Sequence, residues 1–541
     1  MSSLRSRPAR RALRRVAAGA ALLLAACGGG DAGTGGAGGG TIVVGMRSDF
    51  SGINPVTNSS YYTTQIINYA LFTPLIQYDG ELNPEPYLAE SWELHGDSGV
   101  TFRLRRDVRW HDGQPVTAHD VQFTFDLARN DETASLLGTA FLADVERGTV
   151  LDDYTIRFDF ARPHAQALED FWWPPLPRHL LQDVAPADLT NAPYNRQPVG
   201  SGPFRFGEWR ANERLVLTRN PDFPAALGGP ATAERVVFRI VPEAATLLTE
   251  LFTGGVHVDI PVLPEQVRQI EENGATNLYS FPGTTVYFIG WNNEKPPFDD
   301  ARVRVALAHA VDRREIIEAL LHGQGELATS TIPPWHPVYP ADVPPLGFDR
   351  ARAGQLLDEA GWSDRNGDGV RENSAGRPLA FTMMSSDDPL RRSVVEVLQN
   401  QLRQVGASVD VRIMEFQTML AAHKERDYDA VFTNWVLDNF QVAGSPFSLF
   451  HSSQADVPLS TNRSGTRSAE LDRLLEQGAR ATDEEAQRAA WREFTTVLQR
   501  EQPVTFMFWL NELAGARTEL QGVEMDPRGE LRNMARWSIG R

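Results

Sequence analysis

None of the eleven histidines stands in a His-x-x-x-His pair, so the two-histidine helical zinc site of metallohydrolases is missing. Nor is there a Gly-x-Ser-x-Gly elbow or a Gly-Lys-Ser/Thr phosphate loop, the local signatures of serine hydrolases and nucleotide-binding enzymes. A triad gathered from distant positions would leave no such mark. Seventy acidic residues make chance carboxylate pairs abundant, and none is singled out. Cys27 is the only cysteine, which excludes an intrachain disulfide and a cysteine-based zinc site. The string Asp364-Arg365-Asn366-Gly367-Asp368-Gly369 opens as a calcium loop does, but Ala375 stands where the bidentate glutamate is required. A polar hairpin turn is the expectation there, with no metal and no cofactor. The expectation is noncovalent chemistry by a protein that is not an enzyme, with a triad from distant positions left open.

The elements that would position a binding site need more than one core. At 541 residues, with 42% hydrophobic and 23% charged side chains, the chain is long enough for at least two packed bodies. A net charge of −18 repels phosphate backbones, so nucleic acid is not an expected partner. Six arginines precede the first acidic residue, Asp31, and are followed by the apolar and small-residue run 16–26. That run is too short for a bilayer core and has the length of a signal-peptide h-region. It ends in Leu24-Ala25-Ala26-Cys27, which resembles the lipobox of bacterial lipoproteins. The resemblance implies cleavage before Cys27 and acylation of that residue. Loss of residues 1–26 would leave 46 basic against 70 acidic residues, a net −24. Nine of the thirteen residues from Gly28 to Gly40 are glycine, a flexible tether spanning roughly 20 Å.

Local patterns then alternate. Thr101 to Arg105 reads as a strand, and Thr117-Ala118-His119-Asp120 as a capped helix start carrying Val121, Phe125 and Ala128 on one face. Asp299-Asp300 and Asp312 introduce two helices, the first with a stripe of Val303, Ala306, Leu307 and Ala310. A stripe of Val394, Leu398, Leu402 and Val405 ends at Gly406, expected at C′. Val409, Val411 and Ile413 alternate as a strand, Phe416 to His423 is helical, and Tyr428 to Trp435 reads as a strand buried on both faces. Such β-α-β order gives mostly parallel strands, with ligands beyond their carboxyl ends. The fold class expected is α/β.

Four strings carry a family likeness: PYLAESWE from Pro86, VRWHDGQPVTAHDVQFTF from Val108, PVGSGPFRFGEW from Pro198 and KPPFDDARVRVALAHAVDR from Lys295. With the lipobox, they make the chain resemble the bacterial extracellular solute-binding proteins of family 5, the oligopeptide-, dipeptide- and nickel-binding components of ABC importers. The resemblance implies a two-lobed periplasmic-binding-protein-like fold with an extra subdomain inserted in the first lobe. Lobe I would comprise 41–80, 198–295 and 508–541, the insert 81–197 and lobe II 296–507, after a signal peptide at 1–26 and a lipidated tether at 27–40. It further implies a monomer held on a membrane by lipid, capturing a small solute, foremost a peptide, and passing it to an ABC permease and ATPase complex. A nickel chelate, haem or sugar is the alternative cargo on the same fold, and a surface hydrolase or ligand sensor the alternative class.

The site residues follow from the same likeness. In peptide binders of the family an aspartate three residues after a tryptophan receives the ligand amine, and Trp435-Val436-Leu437-Asp438 keeps that spacing. A carboxylate enclosed between closing lobes needs a cation to offset lost hydration, so Asp438 either selects a positive group or is a solvated loop acid. Trp435 either closes its strand as a core residue or stacks on ligand. Tyr61 and Tyr62 either approach ligand main chain or cover the lobe surface. Trp335, in the proline-rich 333–345 stretch, either contacts ligand or belongs to a rigid loop near the cleft. The His111-Asp112-Gly113 turn and the Pro198–Pro203 segment read as scaffold, and Asn292 as hinge structure.

Overall fold

The computed structural model describes residues 39–540 apart from 59, 134, 143, 162–167, 438–443, 458–459 and 482. Gly39–Arg541 forms one compact unit. Cys27, the signal segment and Asp438 lie outside the described residues. The tether expected through Gly40 gives way earlier. Strand β1 (Gly39–Met46) already includes Gly39 and Gly40, because Gly39 pairs with Ala233 at the start of a parallel ladder.

After α1 (Tyr61–Ile66) comes a four-stranded antiparallel sheet. It is built from β2 (Ala89–Leu94), β3 (Gly99–Leu104), β4 (Val145–Asp152) and β5 (Thr155–Phe160), in the order β2-β3-β5-β4. Helix α2 (Ala118–Ala128) is inserted between β3 and β4. It begins where the Asp120 carboxylate accepts from Thr117 N at 2.9 Å, and it buries Val121 and Phe125 against Phe158 of β5.

The larger sheet has eleven strands. Its first members are β6 (Phe204–Arg210), β7 (Arg214–Arg219), β8 (Ala233–Ile240), β9 (Val258–Ile260) and β10 (Thr276–Trp291). Helices α3 (Ala301–His309) and α4 (Arg313–Leu320) follow, then β11 (Gly325–Leu327) and β12 (Ala380–Ser386). Next are α5 (Pro389–Arg403), β13 (Ser408–Met414), α6 (Phe416–Lys424), β14 (Ala430–Val436) and finally β15 (Val504–Arg517). The spatial order is β13-β12-β14-β10-β15-β9-β1-β8-β7-β6, with β11 added beside β15. Strands β12, β13 and β14 are mutually parallel, as the β-α-β order requires.

Aspartates start three of these helices: Asp300 accepts from Arg302 N at 2.9 Å, Asp312 from Glu315 N and Asp388 from Arg391 N, both at 3.0 Å. Each such cap supplies one of the orphan donors of a first turn with its acceptor, worth ~1 kcal/mol. Val303, Ala306 and Leu307 of α3, and Ala310 just past its end, are fully buried, as the stripe requires. Helix α5 stops one residue sooner than expected. Gln404 caps it, and Gly406, at φ +84°, takes the left-handed conformation one step beyond C′.

Two main cores lie at opposite ends of β10 and β15. One holds Ile42, Phe102, Phe158, Phe238, Ala514 and Ala516. The other holds Ile289, Trp291, Leu307, Met383, Leu398 and Phe508. Residues 276–282 of β10 pair with 511–517 of β15 beside the first core, and 286–290 pair with 504–509 beside the second. The ladder breaks between Pro282 and Val286. These two long strands therefore join the halves of the molecule through a stretch where their direct pairing lapses.

Candidate functional site

A cavity of about 190 Å³ opens at that break. Its floor is the α1 region. Asn54, fully buried, turns the chain there by donating to Asn195 Oδ1 and accepting from Val56 N, both at 2.9 Å. Asn58 accepts from Ser60 N at 3.0 Å and donates to Thr64 Oγ1 at 2.7 Å. These bonds leave Ser60, Tyr61, Thr64, Gln65 and Asn68 on the cavity wall. Leu136, Leu137, Phe141, Trp172 and Trp173 supply an apolar side. Thr284, Val436 and Leu437 close it from the second half. Leu437 N donates to Thr284 O at 2.9 Å, so the carboxyl end of β14 is fastened to the unpaired stretch of β10. Leu136 and Val436 face this space 39% and 45% exposed, a loss of apolar burial that a ligand would reverse.

Beneath Tyr61 lies a polar knot. Glu530 is fully buried and accepts from Gln65 Nε2 at 2.5 Å, Tyr61 OH at 3.2 Å and Tyr62 OH at 3.5 Å. The two phenol rings meet edge to face at 5.2 Å. Burial raises the Glu530 carboxyl above the usual range, with its hydrogen bonds acting the other way. Burial together with the Glu530 charge raises Glu512 as well. Tyr61 and Tyr62 are held protonated by burial and by these carboxylates, which keeps them donors. Arg528 also reaches the cavity, but its guanidinium is committed to Asp526 at 2.7 Å and Tyr78 O at 3.0 Å.

The structure thus separates the residues expected to act together. Tyr61 lines the cavity and Tyr62 does not, while both hydroxyls turn to Glu530. Trp435 lines a different, smaller cavity and packs against a third core. The Trp335 indole donates to Gly283 O at 3.2 Å and packs against the first core. Asp438 lies outside the described residues, one position beyond Leu437. Sequence reasoning missed Asn58, Thr64, Gln65 and Leu136, which carry no motif. The doublet Trp172-Trp173 was the one visible signal.

Scaffold readings are matched by contacts. His111 accepts from Gly200 N at 3.1 Å and bonds Gly202 O at 3.1 Å, and burial pushes it down to about 4. Asn292, expected as hinge structure, instead donates to Arg426 O and Tyr428 O at 3.1 and 2.9 Å, bracing the end of β10 against the start of β14 within one half, away from the break at 282–286. In the 364–369 loop, Asp364 accepts from Gly367 N and Gly369 N, and Ser363 bridges Glu372 across an antiparallel turn.

A mixed α/β body with a cavity at the junction of its halves is the architecture of solute-binding proteins whose solved structures superpose on it. The chain belongs to the bacterial extracellular solute-binding proteins of family 5, whose middle-region sequence model matches residues 83–456. It is 28% identical over 511 residues to the oligopeptide-binding protein AppA of Bacillus subtilis, covering 92% of each chain. To the dipeptide-binding protein of Escherichia coli it is 26% identical over 517 residues, covering 91% of this chain and 93% of the relative. The solved structure of B. subtilis AppA in complex with a nonapeptide superposes with a TM-score of 0.75 at 27% identity, covering 93% and 99% of the two chains. Among the described residues, no helix is long and apolar enough to cross a membrane.

Proposed function

We propose that this protein is the peptide-capturing subunit of an ABC importer, a monomer anchored through lipid on Cys27, that closes its halves over the ligand and breaks no bond. The carrying observation is a cavity walled jointly by the α1 region and by the end of β14, one residue before Asp438. The family and the peptide-binding relatives support the cargo. The lobes expected at 41–80, 198–295 and 508–541 with the 81–197 insert, against 296–507, would instead divide near 282–286 and 509–513, since Ile289, Trp291 and Phe508 pack in the second core, and their differential contacts with ligand would favour the closed form.

Asp438 would receive the ligand amine, and the apolar wall of Leu136, Phe141, Trp172 and Val436 would receive a neighbouring apolar side chain. Removing one partner of an enclosed ion pair costs roughly 3–5 kcal/mol, about two to four decades of affinity. Titration calorimetry with a free-amine peptide and its N-acetylated twin tests this. The free amine should bind more tightly to the native protein by that margin, and the two should bind alike to Asp438→Ala. Equal binding to the native protein would remove the amine role, and fragments of the peptide in the cell after titration would make the protein a hydrolase. The anchor has its own check: Cys27→Ser should move the protein from the membrane to the soluble fraction.

A further inference from the structure

Successive residues of a strand face opposite sides. Val436 faces the ligand cavity, whereas Trp435 lines a second, enclosed space of about 30 Å³ behind β14. Phe288, Leu449, Phe450 and Phe506 make much of its wall apolar. Three polar groups on the same wall are buried without a partner: Arg463 Nε, Thr331 Oγ1 and Thr461 Oγ1. All three can donate, and Nε can do nothing else.

The charge of Arg463 is also unmatched. Its Nη1 meets His423 Nδ1 at 3.3 Å, and burial pushes that imidazole down to about 3, so the ring is neutral. Tyr428 donates its hydroxyl to Arg463 O at 2.9 Å, and burial keeps the phenol protonated. Nearby arginines are paired: Arg426 with Glu294 at 3.1 Å, and Arg467 with Asp456 at 2.6 Å. Among the described residues no carboxylate forms an ion pair with Arg463. Arg463 as a whole is only partly buried, but its Nε is enclosed, and an enclosed donor without an acceptor costs the hydration it has lost. An accessible space of about 30 Å³ suits one or two water-sized particles better than sulfate, phosphate or a ligand carboxylate attached to a chain.

We propose that this cavity is a structural anion site, in which Arg463 Nε and the hydroxyls of Thr331 and Thr461 hold one small monovalent anion of chloride size. Such an ion would brace β14 from the face opposite the ligand cavity, and its binding is independent of the cargo.

The test uses protein exchanged into sodium gluconate. Chloride or bromide added at constant ionic strength should raise Tm saturably, by about 1–4 °C, and sulfate should not. Arg463→Gln should abolish the increment. Should that variant fail to fold, Thr461→Val, which keeps the charge and removes one donor, should weaken halide binding at least severalfold. A crystal grown with bromide should show an anomalous peak within hydrogen-bond distance of Arg463 Nε. A Tm indifferent to halide, or a cavity holding only water in the bromide crystal, would overturn the proposal.

Discussion

Leu136 and Val436 are apolar side chains whose exposure serves no core, so they report on binding separately from folding. Replacing either with serine should leave stability within about 0.5 kcal/mol. For a peptide with a bulky apolar residue each change should weaken binding about tenfold, the value of roughly 1.4 kcal/mol of lost apolar contact. A glycine-containing peptide should be nearly indifferent, and calorimetry on the two peptides separates the cases. Asp259 carries a different consequence. It is 1% exposed with Oδ1 unpartnered, and burial, opposed by the Arg47 charge, pushes its carboxyl up to about 7. Between about pH 4 and 7 the unfolded chain has released this proton while the folded protein keeps it. The unfolded state then binds fewer protons, so stability falls as pH rises through that window, by at most about 4 kcal/mol from this group. Asp259→Asn should flatten the decline of Tm between pH 4 and 8; an unchanged slope would show that the carboxyl titrates normally.

Among the elements, the lapse in pairing between β10 and β15 is tightly packed at one glycine. A Cβ on Gly283 would stand 2.9 Å from Leu510 O and 2.7 Å from Glu512 Oε1, and the carbonyl cannot swing away as a side chain could. Gly283→Ala should therefore destabilise by about 1–3 kcal/mol and weaken ligand binding, because Gly283 O also receives the Trp335 indole beside Thr284 of the cavity. Gly274→Ala, with nothing within 4 Å of the added Cβ, is the matched control. Urea midpoints of the two variants decide it. This stretch is also where sequence reading stopped. Helices α3, α4 and α5 were legible because their signals are local: an aspartate before α3 and α4, and an apolar stripe along α3 and α5. Strand β14 was legible from its apolar run, and four of its residues are indeed buried on both faces. Pairing of 276–291 with 504–517 has no local signal, since partners more than 200 residues apart are chosen by tertiary packing. The site suffered for the same reason. Tyr61 could be singled out, but its acceptor Glu530 lies 469 positions away, and alternation along β14 separates Trp435 from Val436 without showing what cavity lies on either side.

For the whole molecule, the two cores matter through what joins them. The first half buries Ala514 and Ala516 of β15 and the second buries Met507 and Phe508, so a bend would have to fall between them, within 510–512 and 283–285, where Leu510 packs on the second core and Val286 and Trp509 of the third core stand on either side. Interiors are close-packed and resist deformation, and motion concentrates where ladder bonds are already absent. A ligand touching the α1 region and Val436–Leu437 together would favour the form in which both surfaces approach. Solution scattering should accordingly show a smaller radius of gyration with saturating peptide than without. At a hundredfold excess over Kd the same peptide should add about 2.7 kcal/mol of stability and raise Tm. A raised Tm at constant radius would mean binding to a preformed closed cleft, and the hinge at the broken ladder would lose its role. A smaller radius abolished by Gly283→Ala, but not by Gly274→Ala, would locate the bend at the point where β10 leaves β15.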